Sequence, residues 1–178
     1  RRPLSSVQQL AAGHALQPPR PVARVLRADV TERVQPGVVY YSSRMGLFTS
    51  ADNGAHWRDL EVGRYSPLVY SRDILVDPVA PKTLYTCFSI NSRSNRGALW
   101  RSDDLGESWN RIGPPEDAPS TVMGMGIHNH QGGKVYAVTR AGQVYSTSDG
   151  GKSWRTQQLP AEAGDAFKQT ADAEPDHH

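Results

Sequence analysis

"SDDLGESW" at residues 102–109 reads Ser-x-Asp-x-Gly-x-x-Trp, and the chain spells the same pattern twice more. "SADNGAHW" stands at 50–57 and "TSDGGKSW" at 147–154. A chain that repeats eight residues three times carries either three copies of a working site or one structural joint used three times. The surroundings repeat too. Four residues before Asp52, Asp104 and Asp149 stands an aromatic: Phe48, Trp100 and Tyr145. A glycine turn precedes it, at Gly46, Gly97 and Gly142, and upstream of that runs an apolar stretch, "GVVYYSS", "TLYTCFS" or "KVYAVT". A short polar stretch follows each Trp ("WRDLEV", "WNRIG", "WRTQQL"), and a further strand-like run opens each unit ("ARVLRADV", "DILVDP", "VMGMGIH"). Four short strands recurring at roughly 50 residues are the signature of propeller blades, and no helical period competes outside the termini.

The expected fold is therefore all-β and propeller-like, with blades at about 22–63, 70–113 and 121–160. Residues 1–21 form an N-terminal extension and 161–178 a flexible acidic tail ending in two histidines. "GPPEDAPST" at 113–121 reads as a proline-rich connector between blades.

Each eight-residue box joins the third strand of a blade to the fourth. Asp52, Asp104 and Asp149 can accept hydrogen bonds from loop N–H groups, and the hydroxyls of Ser50, Ser102 and Thr147 can do the same. Gly54, Gly106 and Gly151 supply positions for positive φ. Trp57, Trp109 and Trp154 are large apolar anchors that pack back on the hairpin. All this chemistry is consumed within the loop, so the boxes are expected to be joints. "SDDLGESW" is the richest in carboxylates, yet it lacks the spacing of a calcium loop.

These residues resemble the Asp-box, or bacterial neuraminidase, repeat of β-propellers. The repeat occurs in sialidases, some endoglucanases, sortilin-type receptors and photosystem assembly factors. "ILVDPVAPKTLY" is similar to the blade opening of many bacterial members. The resemblance covers about residues 22–160 and implies the fold; it leaves function open, because one scaffold serves many.

Composition narrows the classes. Lys and Arg (20) barely exceed Asp and Glu (18), which gives no footprint for nucleic acid. No apolar run approaches the roughly 18 residues of a membrane span. The first residue is not Met, so the compartment, exported or cytoplasmic, stays open. Cys87 is the single cysteine, so no internal disulfide forms, and its setting in "TLYTCFS" predicts a buried thiol. No cofactor is called for. His128 and His130, two apart, are a weak candidate metal pair without a third ligand nearby.

Function is expected at the end opposite the boxes. The loops between second and third strands are "SSRMG", "NSRSNRG" and "TRAG", and each carries arginine: Arg44, Arg93 with Arg96, and Arg140. The blade connectors add Tyr65 and Arg72. A planar, bidentate guanidinium suits carboxylates and phosphates, so this set is the candidate ligand-binding end; solvated turn residues are the competing reading.

The first functional reading is thus a non-catalytic binding or assembly module that meets an anionic ligand or protein partner, with an anionic small molecule or glycan as the smaller alternative. The second is a glycan-processing hydrolase, sialidase-like or endoglucanase-like. It needs two carboxylates facing across one cleft, and Asp29, Asp73 and Asp77 are not paired by the sequence. No catalytic residue is assigned. Propellers close with roughly four to eight blades, so three expose raw faces. Either the three blades are a partial propeller within a longer chain, or self-assembly of the chain into a ring or a protein partner is expected to cover them.

Overall fold

The computed structural model describes residues 25–26 and 36–160, with the side chains of 25, 26, 115 and 116 left out. The extension 1–21 and the tail 161–178 lie outside the described residues. Three antiparallel four-stranded sheets follow one another along the chain. The first holds β1 (Val25–Leu26), β2 (Val39–Ser43), β3 (Gly46–Ser50) and β4 (Arg58–Asp59). The second holds β5 (Tyr70–Val76), β6 (Leu84–Ser89), β7 (Gly97–Ser102) and β8 (Asn110–Ala118). The third holds β9 (Val122–Ile127), β10 (Val135–Thr139), β11 (Gln143–Thr147) and β12 (Arg155–Gln158).

Successive side chains of a strand stand on opposite faces of its sheet. Tyr40 and Leu47 of blade 1 turn toward blade 2 and meet Ile74, Leu84, Phe88 and Trp100 in one core. Cys87 and Leu99, on the other face of blade 2, meet Ala137 and Tyr145 of blade 3 in a second. Two blade joints therefore share one central sheet. That sheet is the most enclosed, with every residue of β6 buried.

Two expectations change here. The stretch 113–121 is not simply a connector: β8 runs to Ala118, which pairs with Gly97. Register shifts between Gly97 and Trp100 take up the irregularity. Bulges absorb the extra residues that a proline pair brings, and an outermost strand tolerates the missing N–H groups. The second correction concerns the box tryptophans, which do more than fold back on their own hairpins. Trp154 Nε1 donates to the Ile112 carbonyl of the preceding blade at 2.7 Å, and Trp109 is buried in the core it shares with blade 1. Trp57 stacks edge-on with Tyr41 and remains 46% exposed.

Candidate functional site

The boxes repeat atom for atom. Ser50, Ser102 and Thr147 are buried, and each hydroxyl donates to its Asp at 2.7 Å. Each hydroxyl also accepts the N–H of the box glycine, at 2.8–3.0 Å. The carboxylate then accepts the backbone N–H four residues on, from His56, Ser108 or Ser153. Its second oxygen meets the His56 ring or the hydroxyl of Ser108 or Ser153. A residue with positive φ precedes each positive-φ glycine: Asn53, Leu105 and Gly150. Its N–H donates to the loop between the first two strands, at Gly37, Lys82 or Gly133. So the five consecutive N–H groups that begin at each box Asp have partners within their own blade.

That arrangement fixes the charge of the box. Hydrogen bonds from His56 hold the Asp52 carboxyl well below the usual carboxylate range. Ser153 does the same for Asp149. For Asp104 partial burial pushes the other way, and the bonds from Ser108 and Ser102 outweigh it, so its pKa is also lowered.

The arginines divide by end. At the box end they are engaged across blades. Arg58 of blade 1 reaches Glu107 of blade 2 at 2.6 Å, and Arg101 of blade 2 donates to Gly150 O of blade 3 at 3.1 Å. Arg101 also holds Asp103 and lies over the Tyr85 ring. At the opposite end Thr121 stitches two loops together: its hydroxyl donates to Asn91 O and accepts from Ser94 N, and its carbonyl accepts the Arg140 N–H. There the exposed Arg44, Arg93 and Arg140 have no ion pair among the described residues. Met45 and Ile90, 71% and 49% exposed, sit in the same loops.

Two candidates leave that set. Arg96 is held by Asp117 of its own blade through Nε and Nη2, at 2.9 and 2.6 Å, and Arg111 also reaches Asp117. Tyr65 points elsewhere, because the 3-10 turn at Val62–Arg64 folds the connector back and its hydroxyl donates to Glu107 O in the second box. Arg72 donates to the Tyr70 hydroxyl at 3.3 Å.

Of the three carboxylates weighed for hydrolysis, Asp29 lies outside the described residues, and Asp73 and Asp77 are engaged structurally. Asp77 accepts N–H groups from Val79 and Ala80 and, across the joint, from Gly133 at 2.7 Å. Buried Asp73 accepts from Met125 N of blade 3. These two cross-blade links were not anticipated; the Val-Asp-Pro sequence at 76–78 was a visible signal for Asp77 alone. A cleft of about 480 Å³ between blades 1 and 2 has Asp52, Trp57, Arg58 and Glu107 in its lining. Its two carboxylates are the ones already bound to His56 and Arg58. Thr49 stands where Arg101 stands in the next blade, which leaves this cleft open. The ring centres of His128 and His130 lie 6.3 Å apart in the loop after β9, and His130 N donates to His128 Nδ1. Among the described residues no three His, Cys, Asp or Glu are grouped to hold a metal.

Three Asp-box blades laid side by side give the described residues a β-propeller-type fold. The family model described as Sortilin-Vps10 (sortilin, neurotensin receptor 3) matches residues 97–177. A vacuolar protein sorting/targeting protein 10 of Sordaria macrospora is 32% identical over 69 residues, which is 38% of this chain and 4% of that protein. Among solved structures, an ancestral GH74 enzyme superposes with a TM-score of 0.59 at 16% identity, over 72% of this chain and 18% of that one. The GH74 xyloglucanase of Xanthomonas campestris gives 0.53 at 19%, over 78% and 21%. YCF48 of Cyanidioschyzon merolae gives 0.52 at 15%, over 85% and 42%. The chain thus spans less than half the length of each protein named. These structural likenesses speak to fold.

Proposed function

We propose that the chain is a non-catalytic binding or assembly module whose rim opposite the boxes, Arg44, Arg93 and Arg140, meets an anionic segment of a protein partner. One observation carries this reading: the box-end arginines Arg58 and Arg101 are engaged across the blade joints, whereas these three have no ion pair among the described residues. Unpaired guanidinium groups on one rim repel weakly while solvated and gain bidentate bonds when a carboxylate arrives. Met45 and Ile90 add exposed apolar area beside them, which favours a polypeptide over a small anion. The partial sortilin-type match and the Vps10 relative, a sorting protein by name, support the binding class.

The test is elution from an immobilised polyaspartate peptide in a salt gradient. A variant with Arg44→Gln, Arg93→Gln and Arg140→Gln elutes at lower salt than wild type, since such contacts are screened. A control with Lys82→Gln, Lys134→Gln and Lys152→Gln removes three charges at the box end and elutes close to wild type. Equal losses in both variants reject the rim.

A further inference from the structure

The loops that carry Arg93 and Arg140 belong to different blades, and both are fastened to one buried residue, Thr121, which stands between β8 and β9. On the blade 2 side the Thr121 hydroxyl donates to Asn91 O and accepts the Ser94 N–H, each at 2.9 Å, and the Thr121 N–H donates to Ser94 O at 3.1 Å. These bonds close around Arg93, whose own N–H donates to the Asn91 side chain at 2.8 Å. The neighbours of Thr121 meet the same loop. The Val122 N–H donates to Ser89 Oγ at 3.3 Å, and a Cβ placed on Gly97 would stand 2.7 Å from Ser120 O. On the blade 3 side the Thr121 carbonyl accepts the Arg140 N–H at 2.8 Å, and the turn beyond it is closed by the Gly142 N–H on Thr139 O at 3.0 Å. Two fixed backbones therefore each carry an exposed arginine. The Arg44 loop is held differently, by the Ser43 hydroxyl of its own hairpin, which accepts the Met45 N–H at 3.0 Å.

We propose, resting on the rim reading above, that Arg93 and Arg140 act as one preorganised pair, held by the positioning residue Thr121, and that the pair takes two acidic residues lying close together in one segment of a protein partner. A single exposed ion pair contributes little, because water screens it and two long side chains lose freedom. Two arginines on backbones tied to one residue change that balance. Once the first carboxylate has docked, the second contact is made within the complex, at the effective concentration that a short tether sets. Backbone order that is already present in the free protein is not lost again on binding. Like charges carried side by side also disfavour each other until anions arrive, so a diacid relieves what a lone carboxylate only halves. Thr121 is buried and acts through the two loops, and Arg44 contributes separately.

The experiment compares two glycine-serine peptides of equal length and charge, one with its two aspartates on alternate residues and one with them at opposite ends. Affinities come from chemical-shift titration at low salt. Wild type should bind the first peptide about threefold to tenfold more tightly than the second. Arg93→Gln and Arg140→Gln should each abolish that preference, and the double variant should show no further loss of it. Thr121→Val keeps the volume, removes the hydroxyl that holds Asn91 O and Ser94 N–H, and should abolish the preference too. Thr121→Ser keeps the hydroxyl and should restore it, which a loss of general stability would not explain. Urea unfolding checks that each variant is folded, and Thr121→Ala replaces the valine variant if that one is not. Equal binding of the two peptides by wild type overturns the pair; the rim reading survives this if the triple variant of Arg44, Arg93 and Arg140 weakens both. A preference that persists without the hydroxyl overturns the role of Thr121. If the triple variant binds both peptides as wild type does, the rim reading falls and the pair falls with it.

Discussion

Replacing each box glycine with alanine separates the cost of the backbone from the cost of the blade joint. Gly54, Gly106 and Gly151 have φ of +90, +91 and +96, so alanine meets nearly the same backbone penalty in all three, about 1–2 kcal/mol. What differs is the neighbour. At Gly54 the new methyl finds only Trp57, at 3.4 Å, an ordinary contact. At Gly106 it stands 3.1 Å from the flexible end of Leu60, which moves by a few tenths of an ångström. At Gly151 it stands 2.7 Å from the Ile112 Cβ, which cannot move without its backbone, and overpacking of that kind adds roughly 1–3 kcal/mol. The expected losses are therefore about 1–2 kcal/mol for Gly54→Ala, slightly more for Gly106→Ala, and about 2–5 kcal/mol for Gly151→Ala. Urea unfolding with an unchanged slope reads them directly. Equal losses in all three, or the largest at Gly54, would refute the reasoning that each box closes on the blade before it.

Ser102→Ala should cost about 1–3 kcal/mol, because it strands the buried Gly106 N–H, and it should exceed Asp104→Ala, whose orphaned Ser108 N–H reaches solvent; chemical denaturation ranks them. Since Asp52, Asp104 and Asp149 are held below their ordinary pKa in the folded state, the unfolded chain binds more protons in acid. Their contribution is complete above about pH 4 and is lost as pH falls through the lowered values, so the melting temperature should drop below about pH 4 and drop less in an Asp149→Asn variant. Burial pushes the Cys87 thiol up to about 12, so a thiol reagent at pH 8 should label the native chain only at the rate of unfolding; fast labelling would contradict the buried setting.

The blades were legible because their determinants are local. Box, glycine turn and aromatic repeat at fixed offsets, and each sheet forms where those offsets put it. The irregular β8 was hidden by Pro114 and Pro115, which look like a connector until register shifts pair Ala118 with Gly97. The rim was half legible. Loop topology follows from the strand count, but pairing between side chains far apart in sequence does not, and Asp117 lies 21 residues from Arg96. Tyr65 was misplaced for a similar reason, since a 3-10 turn redirects it and leaves no mark in a pattern of apolar residues. The exposure of Trp57 was invisible because its box follows the same pattern as the others and differs only in having no neighbour from another blade among the described residues.

The functional claim is that the boxes are joints and that the opposite rim meets the partner. Amide chemical-shift mapping during titration with a polyaspartate peptide tests it at single-residue level. The account predicts shifts concentrated at residues 43–46, 89–97 and 139–142, around Arg44, Arg93 and Arg140, with the box loops at 51–57, 103–109 and 148–154 unmoved. Shifts concentrated in the box loops, or spread evenly over every lysine and arginine, would contradict it.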